Sequence, residues 1–273
     1  MSRALTRWAG LSLVALAFTA LAQVPVPAAL SLGGNKLQFK PESLEEELGV
    51  GKLVAAQITG AAPLLPQPGL QKYVNLVGRR LADQADRKEL NWAFGVVDSS
   101  ALNAFAAPGG FILLTSALLQ ILDTEDELAA VLAHEVAHVT RKHYYHVIRK
   151  QQMLQFGANA VAIGSANAEM ANRMSGLVAQ VMARGLDQAA EYEADRDGMV
   201  YAARAGYDAS ALIRVLDKLA VAAPKSEAGS LWLATHPSAS DRSLAMARAV
   251  NAELDAAAVL SQAAPRLAGQ FKK

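Results

Sequence analysis

The feature that most constrains this chain is the pentapeptide HEVAH at residues 134–138. His134 and His138 are four residues apart, so on a helix they lie one turn apart on the same face and can bind one metal ion. Glu135 supplies a carboxylate that can take a proton from a water molecule polarised by that metal. Neutral imidazoles beside a carboxylate suit zinc. The pattern therefore predicts a zinc site with a general base next to it.

The surrounding sequence predicts that this motif lies on a helix. Thr124 and Glu127 form a capping box, and acidic residues suit the positive end of the helix. Apolar residues at helical spacing and basic residues in the later turns follow: Leu128, Val131, Leu132, Val136, Val139, Arg141, Lys142, Arg149 and Lys150. We expect one continuous helix over residues 124–150. The alternative, two histidines packed in a core, leaves the glutamate between them unexplained.

A catalytic zinc site needs a third protein ligand and one open position. The chain has no cysteine, so histidines and carboxylates are the candidates. His143 and His146 lie about 180° and about 120° from His134 around the predicted helix, which indicates surface or packing roles. The segment 187–198, DQAAEYEADRDG, offers carboxylates instead.

Within this acidic segment, Glu191 and Asp195 are four residues apart and share a helix face. Glu191 can supply the third ligand, while Asp195 can orient a histidine through the free N–H of its ring. Glu193 points nearly the opposite way and Asp197 lies well off the face, so we expect both to be solvated. Spacing alone leaves open the alternative that the whole segment is a solvated acidic helix face.

HEVAH at 134–138 followed by EYEAD at 191–195 resembles a family of zinc peptidases whose shared pattern is HExxH plus ExxAD. Its members include the periplasmic beta-barrel assembly-enhancing protease, the membrane heat-shock protease HtpX and the CAAX prenyl endopeptidase. The resemblance implies that Glu191 is the third zinc ligand and that Asp195 supports the site. It also implies one Zn2+ per chain and metalloendopeptidase activity on protein or peptide substrates. The expected substrates are unfolded or misassembled envelope proteins.

Three further segments are similar to this family, so the resemblance covers most of the chain from about residue 43. They are LGVGKLVAAQI at 48–58, ALNAFAAPGGFILLTSALL at 101–119 and THPSASDR at 235–242. The several membrane spans of some members are missing, which favours the exported, periplasmic branch.

The His-Pro motif of the family lies near the zinc, which implies a role at the site for His236. Its imidazole could hydrogen-bond a developing oxyanion, or could occupy the open position of zinc and keep the enzyme inactive. The alternative is a histidine that packs near a helix start. Arg242 could brace the same loop or contact substrate.

The sequence predicts two strands, at 92–98 and at 111–115, with a Pro-Gly-Gly turn before the second. An exposed strand edge ahead of the zinc helix can bind an extended peptide through backbone hydrogen bonds. We therefore name Asn103, Gly109 and Gly110 as candidate substrate-binding residues. A purely structural hairpin is the alternative.

The remaining pattern is helical. A capping box at Ser43 opens a helix, apolar residues at helical spacing follow from Leu70 to Leu81, and everything after Ser116 has helical character. We expect an α+β fold: a mainly helical zincin-like metalloprotease domain with a small antiparallel β-sheet beside the active-site helix, and the zinc between two helices.

The length and composition of the chain limit the number of domains and the classes of partner that it can have. A chain of 273 residues suits one sizeable domain, and a formal net charge of +1 gives no case for nucleic acid as a partner. Residues 151–186 are rich in Ala, Gly and Met. We expect them to form helices that cover the cleft, with peripheral membrane association as the alternative.

The N-terminus has the pattern of an export signal. Arg3 and Arg7 precede an apolar run from Ala9 to Ala22 that ends in an A-x-A cleavage site. We expect a signal peptide at 1–22, a linker at 23–42 and the metallopeptidase domain at 43–273. A membrane anchor facing the periplasm is the alternative, although the run is short for a membrane span.

A function of a different class remains open, that of a peptide-binding, chaperone-like factor with little proteolytic turnover. Glu135 favours the enzyme, because peptide binding alone does not need a general base.

The export pattern generates a test of the mature N-terminus. We expect protein recovered from the cell envelope to begin at Gln23, because the small residues at Ala20 and Ala22 suit signal cleavage. Mass spectrometry of the intact protein measures this. Protein that retains Met1 and is released only by detergent supports the anchor instead.

Overall fold

The computed structural model describes residues 43–156, 168–222, 235–236 and 239–253. The expected signal peptide at 1–22 and linker at 23–42 lie outside these ranges.

The described chain contains a set of helices and three strands, which confirms the α+β class. The helices are α1 Leu44–Ala61, α2 Pro68–Ala82, α3 Ser116–Ile121, α4 Glu125–Thr140, α5 His143–Phe156, α6 Ala168–Arg184, α7 Gln188–Arg204, α8 Ala211–Ala222 and α9 Ala239–Glu253. The strands are β1 Ala93–Val97, β2 Ala104–Ala107 and β3 Phe111–Thr115. Within the described ranges, no helix combines the length and the apolarity that crossing a membrane requires.

The sheet is mixed, with strand order β1-β3-β2. The β2–β3 hairpin is antiparallel, whereas β1 and β3, the two strands expected from the sequence, run parallel, so the expectation of a purely antiparallel sheet is wrong. The chain places β2 on the far side of β3 from β1, and that order makes the first pair parallel. The sequence analysis missed β2 because its residues, AFAA, are all buried and show no polar alternation.

The hairpin turn packs against α1 through glycine. A side chain at Gly51 would bring its Cβ within 1.7 Å of the Pro108 carbonyl oxygen, so only glycine lets α1 lie against the turn. Gly109 and Gly110 have φ angles of 78° and 97°, which residues with side chains rarely adopt. The backbone N–H of Gly109 donates a hydrogen bond of 3.2 Å to Glu47 on α1. The turn is therefore fixed to the first described helix.

Helix α4 lies at the centre of the core. Every residue from Glu125 to Val139 is buried, because α2, α7, α8 and β2 pack around it. A helix that is buried on all sides is expected to be apolar all round. Two histidines and a glutamate in the middle of α4 are therefore exceptions that call for specific partners.

The expectation of one continuous helix over 124–150 is wrong. Helix α4 ends at Thr140, Lys142 takes a left-handed conformation with φ of 58°, and α5 begins at His143. The Lys142 ammonium lies 3.7 Å from the buried carboxylate of Glu47. No glycine or proline marks the break, so periodicity in the sequence could not reveal it.

Helix α7 packs closely against α4 at Gly198. A Cβ built there would lie 3.0 Å from the backbone nitrogen of His134 and 3.1 Å from its Cα. These neighbours are backbone atoms of a central helix, so they cannot move aside as a flexible side chain could. The glycine therefore sets the spacing between the two helices that carry HEVAH and EYEAD.

We expect Gly198→Ala to lower the free energy of unfolding by about 1–2 kcal/mol. Overpacking of a core costs about 1–3 kcal/mol, and replacing a helical glycine by alanine offsets about 0.5–1 kcal/mol of it. Urea unfolding of the metal-free protein measures the change. Gly176→Ala on α6 is the matched control, because its added Cβ meets nothing within 4 Å among the described residues outside its own helix backbone. Equal stability of the two variants would contradict the packing argument.

Candidate metal centre

Four buried side chains from three parts of the chain converge on one point. His134 and His138 come from α4, Glu191 from the first turn of α7, and His236 from the described pair of residues ahead of α9. One donor atom from each lies within 4.8 Å of all the others. All four are buried. The histidine pair and the carboxylate that the sequence analysis named are therefore brought together.

The spacing of three of these donors suits tetrahedral coordination. The two Nε2 atoms of His134 and His138 are 2.9 Å apart, and they lie 3.5 Å and 3.4 Å from the nearer oxygens of Glu191. Zinc with ligand bonds of about 2.0–2.1 Å holds tetrahedral donors about 3.3–3.4 Å apart. The distances to Glu191 match this spacing, and the two histidines lie somewhat closer together than it requires. The residues present therefore fit zinc in chemistry and need only a small separation of the two rings.

His236 lies on the same side of the cluster as Glu135. Its Nδ1 is 3.1 Å and 3.2 Å from the two Glu191 oxygens, and its Nε2 is 3.8 Å from Glu135 Oε1. The imidazole is within reach of the metal donors as well as of Glu135. The placement agrees with both site roles considered for it.

Glu135 is a buried carboxylate without a hydrogen-bond partner among the described residues, and this holds for both of its oxygens. Burial raises its pKa. A buried polar group without a partner is costly, so native proteins keep few of them outside functional sites. The arrangement is that expected of a base whose partner is a reacting molecule.

Asp195 and Arg242 contact the metal donors: Asp195 lies against His134, and Arg242 lies against Glu191. Asp195 Oδ1 lies 3.0 Å from Nδ1 of His134, where the sequence analysis expected it. The Arg242 guanidinium contacts both Asp195 oxygens, at 2.7 Å and 2.8 Å, and its Nη1 lies 2.6 Å from Glu191 Oε2. Arg242 is 0% exposed. The described contacts of Arg242 are thus to two carboxylates of α7, and they differ from the bracing of the His236 loop that the sequence analysis considered.

Electrostatics set the protonation of the donors. Burial acts to raise the pKa of Glu191, but the charges of His236 and Arg242 lower it well below its usual range. Burial lowers the pKa of His138 well below its usual range, and the charge of His134 lowers it further. Both groups therefore have the form that binds metal at neutral pH.

His134 differs from its neighbour. Burial acts to lower its pKa, but hydrogen bonds to Asp195 and Glu191 raise it to about 9. The ring lone pair that takes up this proton is also the one a metal ion would use. Protons and metal therefore compete at His134.

The structure adds residues that the sequence analysis placed at the surface. Nδ1 of His143 lies 2.8 Å from Nδ1 of His138, and Nε2 of His143 lies 3.2 Å from Oε2 of Glu193. Asp197 is paired with Arg141 at 2.5 Å. The expected solvation of Asp197 is therefore wrong, whereas the Glu193 side chain remains 38% exposed. Of the surface and packing roles expected for His143, its contact with His138 excludes a purely surface one. Because α4 ends at Thr140 and α5 begins at His143, the angles around an unbroken helix do not apply to His143.

Asn103 joins the surroundings of the site, whereas the two turn glycines do not. The buried Asn103 amide oxygen accepts a hydrogen bond of 3.1 Å from Thr235, the residue before His236. Among the described residues, the Asn103 Nδ2 has no hydrogen-bond partner. The nearest neighbours of Gly109 are on α1, and those of Gly110 belong to Trp92. The structure thus separates the three residues named together as substrate-binding candidates.

Comparison with known proteins supplies the context for this geometry. The profile of peptidase family M48 matches residues 68–250, which include HEVAH, EYEAD and His236. The chain belongs to peptidase family M48. Metalloproteases of family M48 use zinc, in agreement with the donor set. The family expected from the two motifs is confirmed.

Individual relatives are similar over the same region. The beta-barrel assembly-enhancing protease of Escherichia coli (strain K12) is 35% identical over 203 residues, and that of Yersinia pestis 34%. Each alignment covers 71% of this chain and 42% of the relative, so the chain spans less than half the length of these proteins. The mitochondrial metalloendopeptidase OMA1 of Schizosaccharomyces pombe is 25% identical over 229 residues, which are 82% of this chain and 65% of the relative.

Proposed function

We propose that this chain is a zinc-dependent metalloendopeptidase that hydrolyses peptide bonds in unfolded or misassembled envelope proteins. The observation that carries the proposal is the buried carboxylate of Glu135, which lies next to a cluster of metal donors and has no hydrogen bond to the described residues. A site that only binds metal needs the donors, whereas a hydrolytic site also needs a base within reach of the attacking water.

His134, His138 and Glu191 are the proposed ligands of one zinc ion. Zinc bound there supplies Lewis acidity, which polarises a scissile carbonyl and lowers the pKa of a water molecule. Asp195 Oδ1 lies 3.0 Å from Nδ1 of His134 and favours the tautomer with its hydrogen on Nδ1, which leaves the lone pair of Nε2 for the metal. Arg242 holds Asp195 and Glu191 together.

Glu135 is the proposed general base. It takes a proton from the attacking water and later donates it to the nitrogen of the leaving amine. Its lack of hydrogen bonds within the described chain leaves both oxygens available for this transfer. Its burial keeps bulk water from competing for the same proton.

The substrate class and location follow from the relatives and the N-terminus. The curated relatives are named for β-barrel assembly, which supports envelope proteins as substrates. The export pattern at residues 1–22 supports a periplasmic location after signal cleavage, with an anchored form that faces the periplasm as the alternative.

A chaperone-like function with little turnover is the second candidate, and the position of His236 favours it. Catalytic zinc sites keep one position open, whereas a fourth protein donor closes the site. His236 lies within reach of the other three donors.

We therefore propose that His236 restrains the peptidase and must move before substrate enters. The hydrogen bond between Thr235 and Asn103 helps to hold it.

We expect Glu135→Gln to lower the rate of casein cleavage by about 10²–10⁴-fold, because the amide cannot accept the proton. Zinc content and melting temperature are expected to stay at the wild-type level, since Glu135 is not a ligand. Cleavage is measured with and without chelator. Glu45→Gln, at an exposed position on α1, is the matched control. Full activity of Glu135→Gln would remove it as the base, and zinc-free activity of the wild type would remove the metal mechanism.

We expect His236→Ala to keep its zinc, because three donors remain, and to cleave casein about tenfold faster, equal to about 1.4 kcal/mol. Thr235→Val weakens the hold on His236 and should give a smaller increase. Zinc analysis and initial rates on the same samples measure both effects. A loss of activity with zinc retained would assign His236 to oxyanion stabilisation instead. Activity within about twofold of wild type would leave His236 a structural residue.

A further inference from the structure

His143 lies against the side of the His138 ring that faces away from the metal donors. The two Nδ1 atoms are 2.8 Å apart, and the other ring nitrogen of His143 lies 3.2 Å from the Glu193 carboxylate. We name His138, His143 and Glu193 the histidine row. It runs from α4 through α5 to α7, and its outer end is held by Arg141, whose Nη1 lies 3.4 Å from Glu193 Oε1.

The chemistry of the row fixes the position of every proton in it. Nε2 of His138 is the atom that faces Glu191 and His134, so it must offer a lone pair to a metal. A neutral imidazole then carries its hydrogen on Nδ1, and that N–H donates to Nδ1 of His143. His143 in turn carries its hydrogen on Nε2 and donates it to Glu193. No other arrangement of neutral rings satisfies both contacts.

We propose that His143 is a positioning residue of the metal centre, which acts through His138. It holds His138 in the tautomer that binds metal and fixes the angle of the ring, and Glu193 fixes His143 in turn. This inference rests on the proposed zinc function. Each histidine of HEVAH then has its own partner at Nδ1: a carboxylate, Asp195, for His134 and an imidazole for His138.

The local backbone supports this role. On an unbroken helix, His143 would lie about 140° around the axis from His138. The left-handed Lys142 ends the helix and brings His143 back to it. A non-glycine residue with positive φ is uncommon and is kept where the surrounding contacts require it. The His143 side chain is only 10% exposed, so water competes little for the contact.

The test measures zinc affinity of the full chain by competition with a chromogenic chelator, independently of proteolysis. We expect His143→Leu to bind zinc about 10–100-fold more weakly, the effect usual for loss of such a partner. We expect His143→Gln to stay within about threefold of wild type, because its amide can accept from His138 and donate to Glu193. His146→Leu is the matched control, at an exposed histidine on the same helix, and should not change affinity.

The pattern of results decides between positioning and packing. Weak binding by His143→Leu with rescue by His143→Gln supports the proposal. Wild-type affinity in both variants overturns it, and so does equal weakening of both, which would assign His143 to space filling. Should His143→Leu fail to fold, Glu193→Leu replaces it, with a loss of severalfold expected and an unchanged affinity counting against the proposal. If the wild-type chain binds no zinc, the proposed function itself fails.

Discussion

The site depends on the ion pairs that Arg242 forms with Glu191 and Asp195. Two carboxylates, Glu191 and Asp195, are buried one helical turn apart, and their charges would repel each other without a cation between them. The Arg242 guanidinium meets both, and it comes from α9, late in the chain. The metal centre is therefore completed only when α9 has packed against α7. Since removal of one partner leaves buried charge uncompensated, folding of the core and formation of the site are coupled.

The sequence predicted the part of the site that follows from spacing within one helix. The spacing in HEVAH predicted that His134 and His138 share a helix face, and the spacing in EYEAD predicted that Glu191 and Glu193 point in different directions. The structure brings Glu191 to the two histidines. Contacts between helices could not be predicted in this way. Arg242 had two open roles because no pattern within one helix shows which distant carboxylate an arginine meets.

The largest error of the sequence analysis has a single origin. The basic and apolar residues after Thr140 continue the helical pattern, and no glycine or proline interrupts them. The break is stabilised by tertiary contacts instead, among them the approach of Lys142 to Glu47, which lies far away in the chain. Because the sequence analysis did not predict the end of α4 at Thr140, it gave His143 a surface or packing role, whereas the structure places this residue against His138. The missed strand β2 has a similar cause, since burial on both faces removes the alternation by which strands are recognised.

Glu47 on α1 has a consequence for where the functional unit begins. Its carboxylate accepts from the Gly109 backbone and from Arg87 and lies near Lys142, so it joins the hairpin turn to the end of the zinc helix. Helix α1 precedes residue 68, where the match to the profile of family M48 begins. The residues that support the end of the zinc helix therefore extend beyond the part of the chain that the profile matches. A fragment that begins at residue 68 would contain every proposed ligand. It would lack Glu47, whose carboxylate connects the hairpin turn to the end of the zinc helix.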